Sequence, residues 1–509
     1  MTKMRIVGIL AVPLALMAAT IAPPPMAAPI ADAAMRGDLA AVKTLIASGV
    51  SVNEAQGDGM TALHWASERG DSAMTVALLA AKADVKAATR IGRYTPLHIA
   101  ARGGHGFVVS ALLNAGADAN GVTETGVTAL HLAAASGTVE GVTALVAKGA
   151  NPNARESQWG QTPLIFAAEK NRADAIAVLV KAGADVTIKT KMVLIQEEAA
   201  REQAAVRKRN EVLISFEPEK HLDEILPFAG ADIPTKAPTL ASMLTLGFTA
   251  LIPPDPNAAG GRRGGGGGPQ PKGPFTTDQI QEAIEAGRRE QQSTGSASGP
   301  VTEEVDTLNG GVAGFGAAVG GIGGLTPLHH AVRQGNLEAT IALLDAGAPV
   351  NEPNGVDNTT PLLMAAINGQ FDVELELLKR GANPNIAAGS GLSPLYATIN
   401  TMWAPRSRFP QPQAVQIQKS THIDVMQALL AAGAKPNVRL DTQFWYFAYN
   451  NCGNANCGLE NITGTTPFWR AAYALDVPAM KLLVKYGADV TLGSITPVAG
   501  RGGRGGRGA

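Results

Sequence analysis

The feature that most constrains this chain is a four-residue phrase that returns at a fixed spacing. Thr61-Ala62-Leu63-His64, Thr95-Pro96-Leu97-His98, Thr128-Ala129-Leu130-His131 and Thr162-Pro163-Leu164-Ile165 begin 34, 33 and 34 residues apart. It resumes as Thr326-Pro327-Leu328-His329, Thr360-Pro361-Leu362-Leu363 and Ser393-Pro394-Leu395-Tyr396, again 34 and 33 apart, and Thr466-Pro467-Phe468-Trp469 closes the series. A second phrase ends each repeat: Gly116-Ala117-Asp118, Gly149-Ala150-Asn151, Gly183-Ala184-Asp185, Gly347-Ala348, Gly381-Ala382-Asn383, Gly433-Ala434 and Gly487-Ala488-Asp489. A period of that length means one small helical motif copied along the chain. One copy cannot bury its own leucines, whereas stacked neighbours can.

The local physics of one copy is readable. A threonine hydroxyl caps a helix, and proline at the first helical position forfeits no backbone hydrogen bond. Thr95 and Pro96 therefore open a short helix whose narrow apolar face is Leu97 and Ala100-Ala101, and Gly103-Gly104 end it. A second helix is predicted from Gly106 to Ala115, with Val108, Val109, Leu112 and Leu113 as its buried stripe. Gly116 supplies the left-handed residue that stops it. The stretch from Asp118 to Val127 is polar and turn-rich and leads to the next threonine.

This pattern closely resembles the ankyrin repeat, and the likeness covers about 330 of the 509 residues. The resemblance implies an all-α solenoid of about nine helix–turn–helix repeats with a long insert, in an exported protein of bacterial type. Residues 31–53 read as an opening repeat that lacks the Thr-Pro-Leu-His phrase. In this family the histidine bridges neighbouring turns, so His64, His98, His131 and His329 are expected to be structural rather than metal ligands. Ile165, Leu363, Tyr396 and Trp469 replace it, and there the family's hydrogen bond is expected to be absent. Partners in such proteins meet the turn tips and the concave ends of the first helices. Carried over by motif, the tip positions are Thr89, Arg90, Ile91, Arg93 and Tyr94; Thr123, Glu124 and Thr125; and Gln158, Trp159 and Gln161. The helix positions are Glu68, Arg69, Arg102, Ser136, Glu169, Lys170, Arg333 and Gln334. Tyr94 and Trp159 are the expected anchors, since aromatic and arginine side chains dominate interface energy. The alternative for each is that it covers a neighbouring turn.

The period vanishes between about Met192 and Gly323. Glu197 to Leu213 reads as a charged, solvent-exposed helix, Leu222 to Ile252 as an apolar stretch broken by prolines, and Thr277 to Glu290 as a short helix. Gly264 to Gly268 is unbroken glycine, so the interior of the insert is expected to be disordered. The two repeat blocks can still stack, because long insertions add little closure entropy. The resulting organisation is a signal peptide over 1–28, repeats over 30–192, the insert over 193–323, repeats over 324–495 with long loops at 402–420 and 438–463, and an arginine–glycine tail over 496–509.

Lys3 and Arg5 precede an apolar run from Ile6 to Ala19 and small residues through Ala28, the parts of a secretory signal. Export to the periplasm or beyond is expected, with an uncleaved anchor as the alternative. No second apolar stretch of about 20 residues follows, so the mature chain is not expected to span a membrane. In an oxidising space Cys452 and Cys457 are expected to pair as a disulfide. The loop around them holds Phe444, Trp445, Tyr446, Phe447 and Tyr449, either packed on the solenoid or exposed for recognition.

A net charge of -1 excludes nucleic-acid binding by bulk positive charge, and two cysteines leave no cysteine cluster for zinc or iron–sulfur. No phosphate loop, His-Glu-x-x-His or Gly-x-Ser-x-Gly occurs, so neither catalysis nor a metal or cofactor is expected. The expected activity is a non-catalytic scaffold holding a protein partner, with no small-molecule substrate. The other readings are a surface-associated polyanion binder using Arg262-Arg263 and the arginine tail, and an enzyme with its chemistry in the insert.

Overall fold

The computed structural model describes residues 28–216, 275–293, 321–403, 414–442 and 462–494. The expected signal segment up to residue 27, the glycine-rich interior of the insert, both cysteines, the aromatic loop and the arginine tail lie outside these residues. Every expected repeat appears as a helix pair. These are α1 (Pro29–Arg36) and α2 (Leu39–Ala47), α3 (Ala62–Arg69) and α4 (Ser72–Ala80), α5 (Pro96–Arg102) and α6 (Gly106–Asn114), α7 (Ala129–Ser136) and α8 (Val139–Ala147), and α9 (Pro163–Glu169) and α10 (Ala173–Lys181). The insert contributes β1 (Met192–Leu194), α11 (Ile195–Ser215), α12 (Thr277–Ser293) and β2 (Gly321–Gly323). Then come α13 (Pro327–Gln334) and α14 (Leu337–Asp345), α15 (Pro361–Asn368) and α16 (Phe371–Lys379), α17 (Pro394–Trp403), the short α18 (Ala414–Ile417), α19 (His422–Ala431), α20 (Pro467–Tyr473) and α21 (Val477–Lys485).

The chain divides into two compact units, residues 1–133 with 140–150, and residues 134–139 with 151–509. In the first, α3 packs between α1 and α5, and α4 between α2 and α6, so first helices stack on first helices and second on second. In the second, α9, α13, α15, α17 and α20 form one row and α10, α14, α16, α19 and α21 the other. In most of the pairs one buried leucine per helix fills the layer. Leu63, Leu97 and Leu130 are buried in the first helices of the first unit and Leu78, Leu112 and Leu145 in the second. Leu164, Leu328, Leu362 and Leu395 continue the pattern beside Leu179, Leu343, Leu377 and Leu429 in the second unit. A buried leucine contributes about 1.5–3 kcal/mol, which a repeat without stacked neighbours cannot realise.

The two repeat blocks stack across the insert, and the backbone shows how. In an ordinary repeat the turn between pairs is a tight hairpin: Thr89 N–H donates to the Tyr94 carbonyl at 3.0 Å, and Tyr94 N–H to Thr89 Oγ1 at 3.0 Å. Thr190 N–H donates to the Leu325 carbonyl at 3.0 Å and Leu325 N–H to Thr190 Oγ1 at 3.0 Å, the same pair of bonds closed over the whole insert. β1 and β2 lengthen this hairpin as an antiparallel pair with Met192 opposite Gly323 and Leu194 opposite Gly321. The insert therefore occupies a turn tip. Leu440 and Thr465 close the second long loop in the same way, Leu440 N–H donating to the Thr465 carbonyl at 3.1 Å.

α11 has no buried residue among those described, as its charge pattern suggests, and it also packs along α12. Small residues permit the approach: Ala283 and Ala286 are buried, and a Cβ on Gly287 would lie 2.9 Å from the Ala205 carbonyl oxygen. The charge pattern marked the outward face and gave no sign that a helix beginning at Thr277 would pack on the other.

Candidate interaction surface

Each threonine N–H fixes its histidine. Thr61, Thr95, Thr128 and Thr326 donate to Nδ1 of His64, His98, His131 and His329 at 3.1, 3.3, 3.2 and 3.4 Å. Nδ1 is thus the acceptor and Nε2 carries the proton. Nε2 donates to a carbonyl of the following hairpin: His64 to Tyr94 at 3.1 Å, His98 to Gly121 at 3.0 Å, His329 to Thr359 at 3.1 Å. Burial holds His64 and His98 below the usual histidine range, partly offset by these backbone bonds, and lowers His329 to about 4. Neutral rings that staple adjacent turns are what this wiring produces. At Tyr396 the histidine-to-carbonyl bond is absent, as expected, but another bond spans the same turns. The tyrosine hydroxyl lies 3.0 Å from Thr465 Oγ1, and Thr465 in turn donates to the Ile462 carbonyl at 2.6 Å, so a phenol makes the bridge.

Two side chains per first helix border the tips, at the fourth and seventh positions after the threonine. The fourth gives Trp65, Ile99 and Leu132 in one stretch and Phe166, His330 and Met364 in another. The seventh gives Glu68 and Arg102, which pair at 2.8 Å, and Glu169 and Arg333, which lie 3.5 Å apart. Glu169 also accepts from His330 Nδ1 at 2.6 Å. Burial alone would raise the Glu169 carboxyl, but the His330 bond and the Arg333 and Lys170 charges outweigh it and hold it below the usual range. These four expected contact residues are therefore engaged with one another. Arg69 Nη1 reaches the Met35 carbonyl at 3.5 Å, and Lys170 is exposed at the end of α9.

At the tips the backbone is tied and the side chains stand out. Arg90 N–H donates to the Asp58 carbonyl at 2.8 Å and Glu124 N–H to the Gly92 carbonyl at 3.0 Å, while the side chains of Arg90, Arg93 and Glu124 are exposed. Gln158 and Trp159 donate their N–H groups to Glu156 at 2.6 Å each, and Gln161 does so at 3.0 Å. Glu156, buried and acting as the brace of that tip, was not anticipated; a carboxylate in place of Thr89 or Thr123 at the base of the turn was the only signal. Trp159 is half-buried and Gln158 exposed.

Tyr94 belongs to a preformed cleft of about 370 Å³ lined by Asp58, Met60, Trp65, Glu68, Thr89, Ile91, Tyr94, Ile99 and Arg102. Its walls are braced. Trp65 Nε1 donates to Gln56 Oε1 at 2.8 Å, and Gln56 donates to Asp32 at 2.5 Å. The Tyr94 ring lies edge-on to His98 at 6.3 Å with the Arg102 guanidinium 5.7 Å over it. A smaller cleft of about 160 Å³ at the root of the insert is lined by Met192, Val193, Leu194, Glu197 and Arg201. No set of three or more metal-ligating side chains converges among the described residues, and no helix among them is long and apolar enough to cross a membrane.

The sequence model of one family, ankyrin repeats in three copies, matches residues 30–123, 107–190 and 306–388. A protein of Rickettsia felis named as an ankyrin repeat protein is 26% identical over 156 residues, which are 31% of this chain and 39% of the relative. The chain thus spans well under two thirds of that relative's length.

Proposed function

Because this chain is a member of the ankyrin-repeat family, a generally non-catalytic family that implies protein partners, we propose that it is a non-catalytic scaffold which holds a protein against its hairpin tips and first helices. The carrying observation is the division of labour at the tips. The backbone of Arg90 and Glu124 is used to hold the turns together, and their exposed side chains are left for another surface. Beside them the cleft between Trp65 and Tyr94 is shaped before any partner arrives, which limits the ordering entropy that binding must overcome.

The place of action in this reading is outside the cytoplasm, on the strength of Lys3, Arg5 and the apolar run that follows them. Cys452 and Cys457 pair there as a disulfide. The reading is tested with the full chain carrying a photo-crosslinking residue at Ile91 or Glu124, compared with the same residue at Val76 or Phe107 on the exposed side of the second helices. A discrete crosslinked protein partner is expected from the tip positions alone. Equal products from both sets, or products from the second helices only, overturn it.

A further inference from the structure

Two positions before each repeat's threonine or serine, the backbone turns through the left-handed region at every hairpin tip. Glycine sits there at Gly59, Gly126, Gly160, Gly324, Gly391 and Gly464, with φ between 65° and 88°. Asn358 takes it at φ 61°, and asparagine is the side chain that tolerates this region best. Arg93, at φ 53°, is the exception. An arginine in that conformation is strained relative to glycine, and strained residues that persist point to a use for the side chain.

Its surroundings indicate the use. Arg93 and Arg90 flank Ile91, whose side chain is 83% exposed at the mouth of the Trp65–Tyr94 cleft. Neither arginine forms an ion pair with an acidic side chain among the described residues, whereas Arg102 on the cleft wall is already paired with Glu68. The tip therefore presents two arginines outside any ion pair among the described residues around an exposed apolar residue, beside a groove with aromatic walls whose own carboxylates are Asp58 and the Arg102-paired Glu68.

We infer that this tip and cleft receive an extended acidic segment of a protein partner, its carboxylates on Arg90 and Arg93 and an apolar side chain lodged between Trp65 and Tyr94 against Ile91. The inference rests on the scaffold reading and names the chemistry of its partner. Arginine holds a carboxylate through two parallel N–H bonds, and the aromatic floor supplies desolvated area for the apolar anchor.

The test uses the full chain and two fluorescein-labelled hexapeptides, one alternating Glu and Leu, the other alternating Lys and Leu, followed by fluorescence anisotropy. Saturable binding of the Glu–Leu peptide is expected, at least tenfold tighter than the Lys–Leu peptide, weakening as salt is added. Arg93→Gly should raise or preserve the melting temperature, because glycine suits the turn, and still weaken the Glu–Leu peptide at least fivefold. Ile91→Ser, at a position too exposed to matter for folding, should weaken it by a similar factor. Equal binding of both peptides, no saturable binding of either, or an Arg93→Gly chain that keeps its affinity overturns the inference. The scaffold reading fails separately, if crosslinking from the tips yields no partner at all.

Discussion

Two buried titratable residues carry opposite pH dependences. His329 is lowered to about 4 chiefly by burial; the Thr359 carbonyl and Glu352 favour its charged form, while His330 and Lys189 oppose it. A group whose folded value is depressed stabilises the fold above its unfolded value, and that contribution drains away as pH falls from about 6.5 through about 4. On the order of 3 kcal/mol rides on His329 over that window. A urea series between pH 7 and pH 4.5 should show this loss, and the His329 ring signals should titrate near 4 rather than near 6.5. Glu374 behaves in the reverse sense. It is wholly buried on α16, and Thr398 Oγ1 lies 2.9 Å from both Glu374 Oε2 and the Pro394 carbonyl. One hydroxyl proton cannot serve two acceptors, so a protonated Glu374 that donates to Thr398 satisfies both bonds. Burial raises this carboxyl well above the usual range. Its stabilisation is full below about pH 4.5 and is lost as pH rises toward the folded value. Glu374→Gln should therefore add about 1–2 kcal/mol at pH 7.5 and almost nothing at pH 4.5, as read by chemical denaturation at the two values. Neither shift was legible from residue types: a glutamate on a helix is ordinarily a solvated one, and only the neighbouring repeat turns this one inward.

At the scale of the element, the helix pairs follow directly from Thr-Pro at one end and Gly-Ala at the other, since caps and stops are local chemistry. The links between turns are less local. Asn153, Asn351, Asn385 and Asn437 follow the Gly-Ala phrase at one offset, and each accepts from a backbone N–H of the next turn. Asn385 Oδ1 accepts from Lys435 N–H at 2.9 Å, and its Nδ2 donates to the Gly433 carbonyl at 2.8 Å. The offset was visible in the sequence, but a polar residue in a turn is equally suited to solvent, and nothing in the pattern says which carbonyl it will find. Asn385→Ala removes both bonds and should cost about 1–2 kcal/mol, measured by thermal or urea unfolding, with helix content by circular dichroism unchanged. The candidate site divides similarly. Motif spacing locates the tips, yet the pairing of Glu68 with Arg102 and of Glu169 with His330 and Arg333 depends on which repeat lies alongside.

For the whole molecule, the insert is the largest departure from the period and the place where sequence reasoning stops. A broken repeat reads alike whether the blocks part or remain stacked. The contacts decide it: Asn336 Nδ2 donates to the Ala168 and Glu169 carbonyls at 2.8 and 3.0 Å, and Ala339 N–H to Asn171 Oδ1 at 2.9 Å. Replacing residues 191–324 by the four-residue tip that joins Thr89 to Tyr94 should leave a cooperatively melting protein within a few degrees of the parent. A shorter closure favours the fold by about 3 kcal/mol at most. Aggregation, or a broad transition in calorimetry, would show that the insert supports the stack. The hairpin closed by Thr190 and Leu325 has one more implication. Since the joint is made by side chains and carbonyls outside the loop, covalent continuity across it is dispensable. A chain severed within the insert should remain clasped as a non-covalent pair of fragments, much as a zip holds after its slider is cut away.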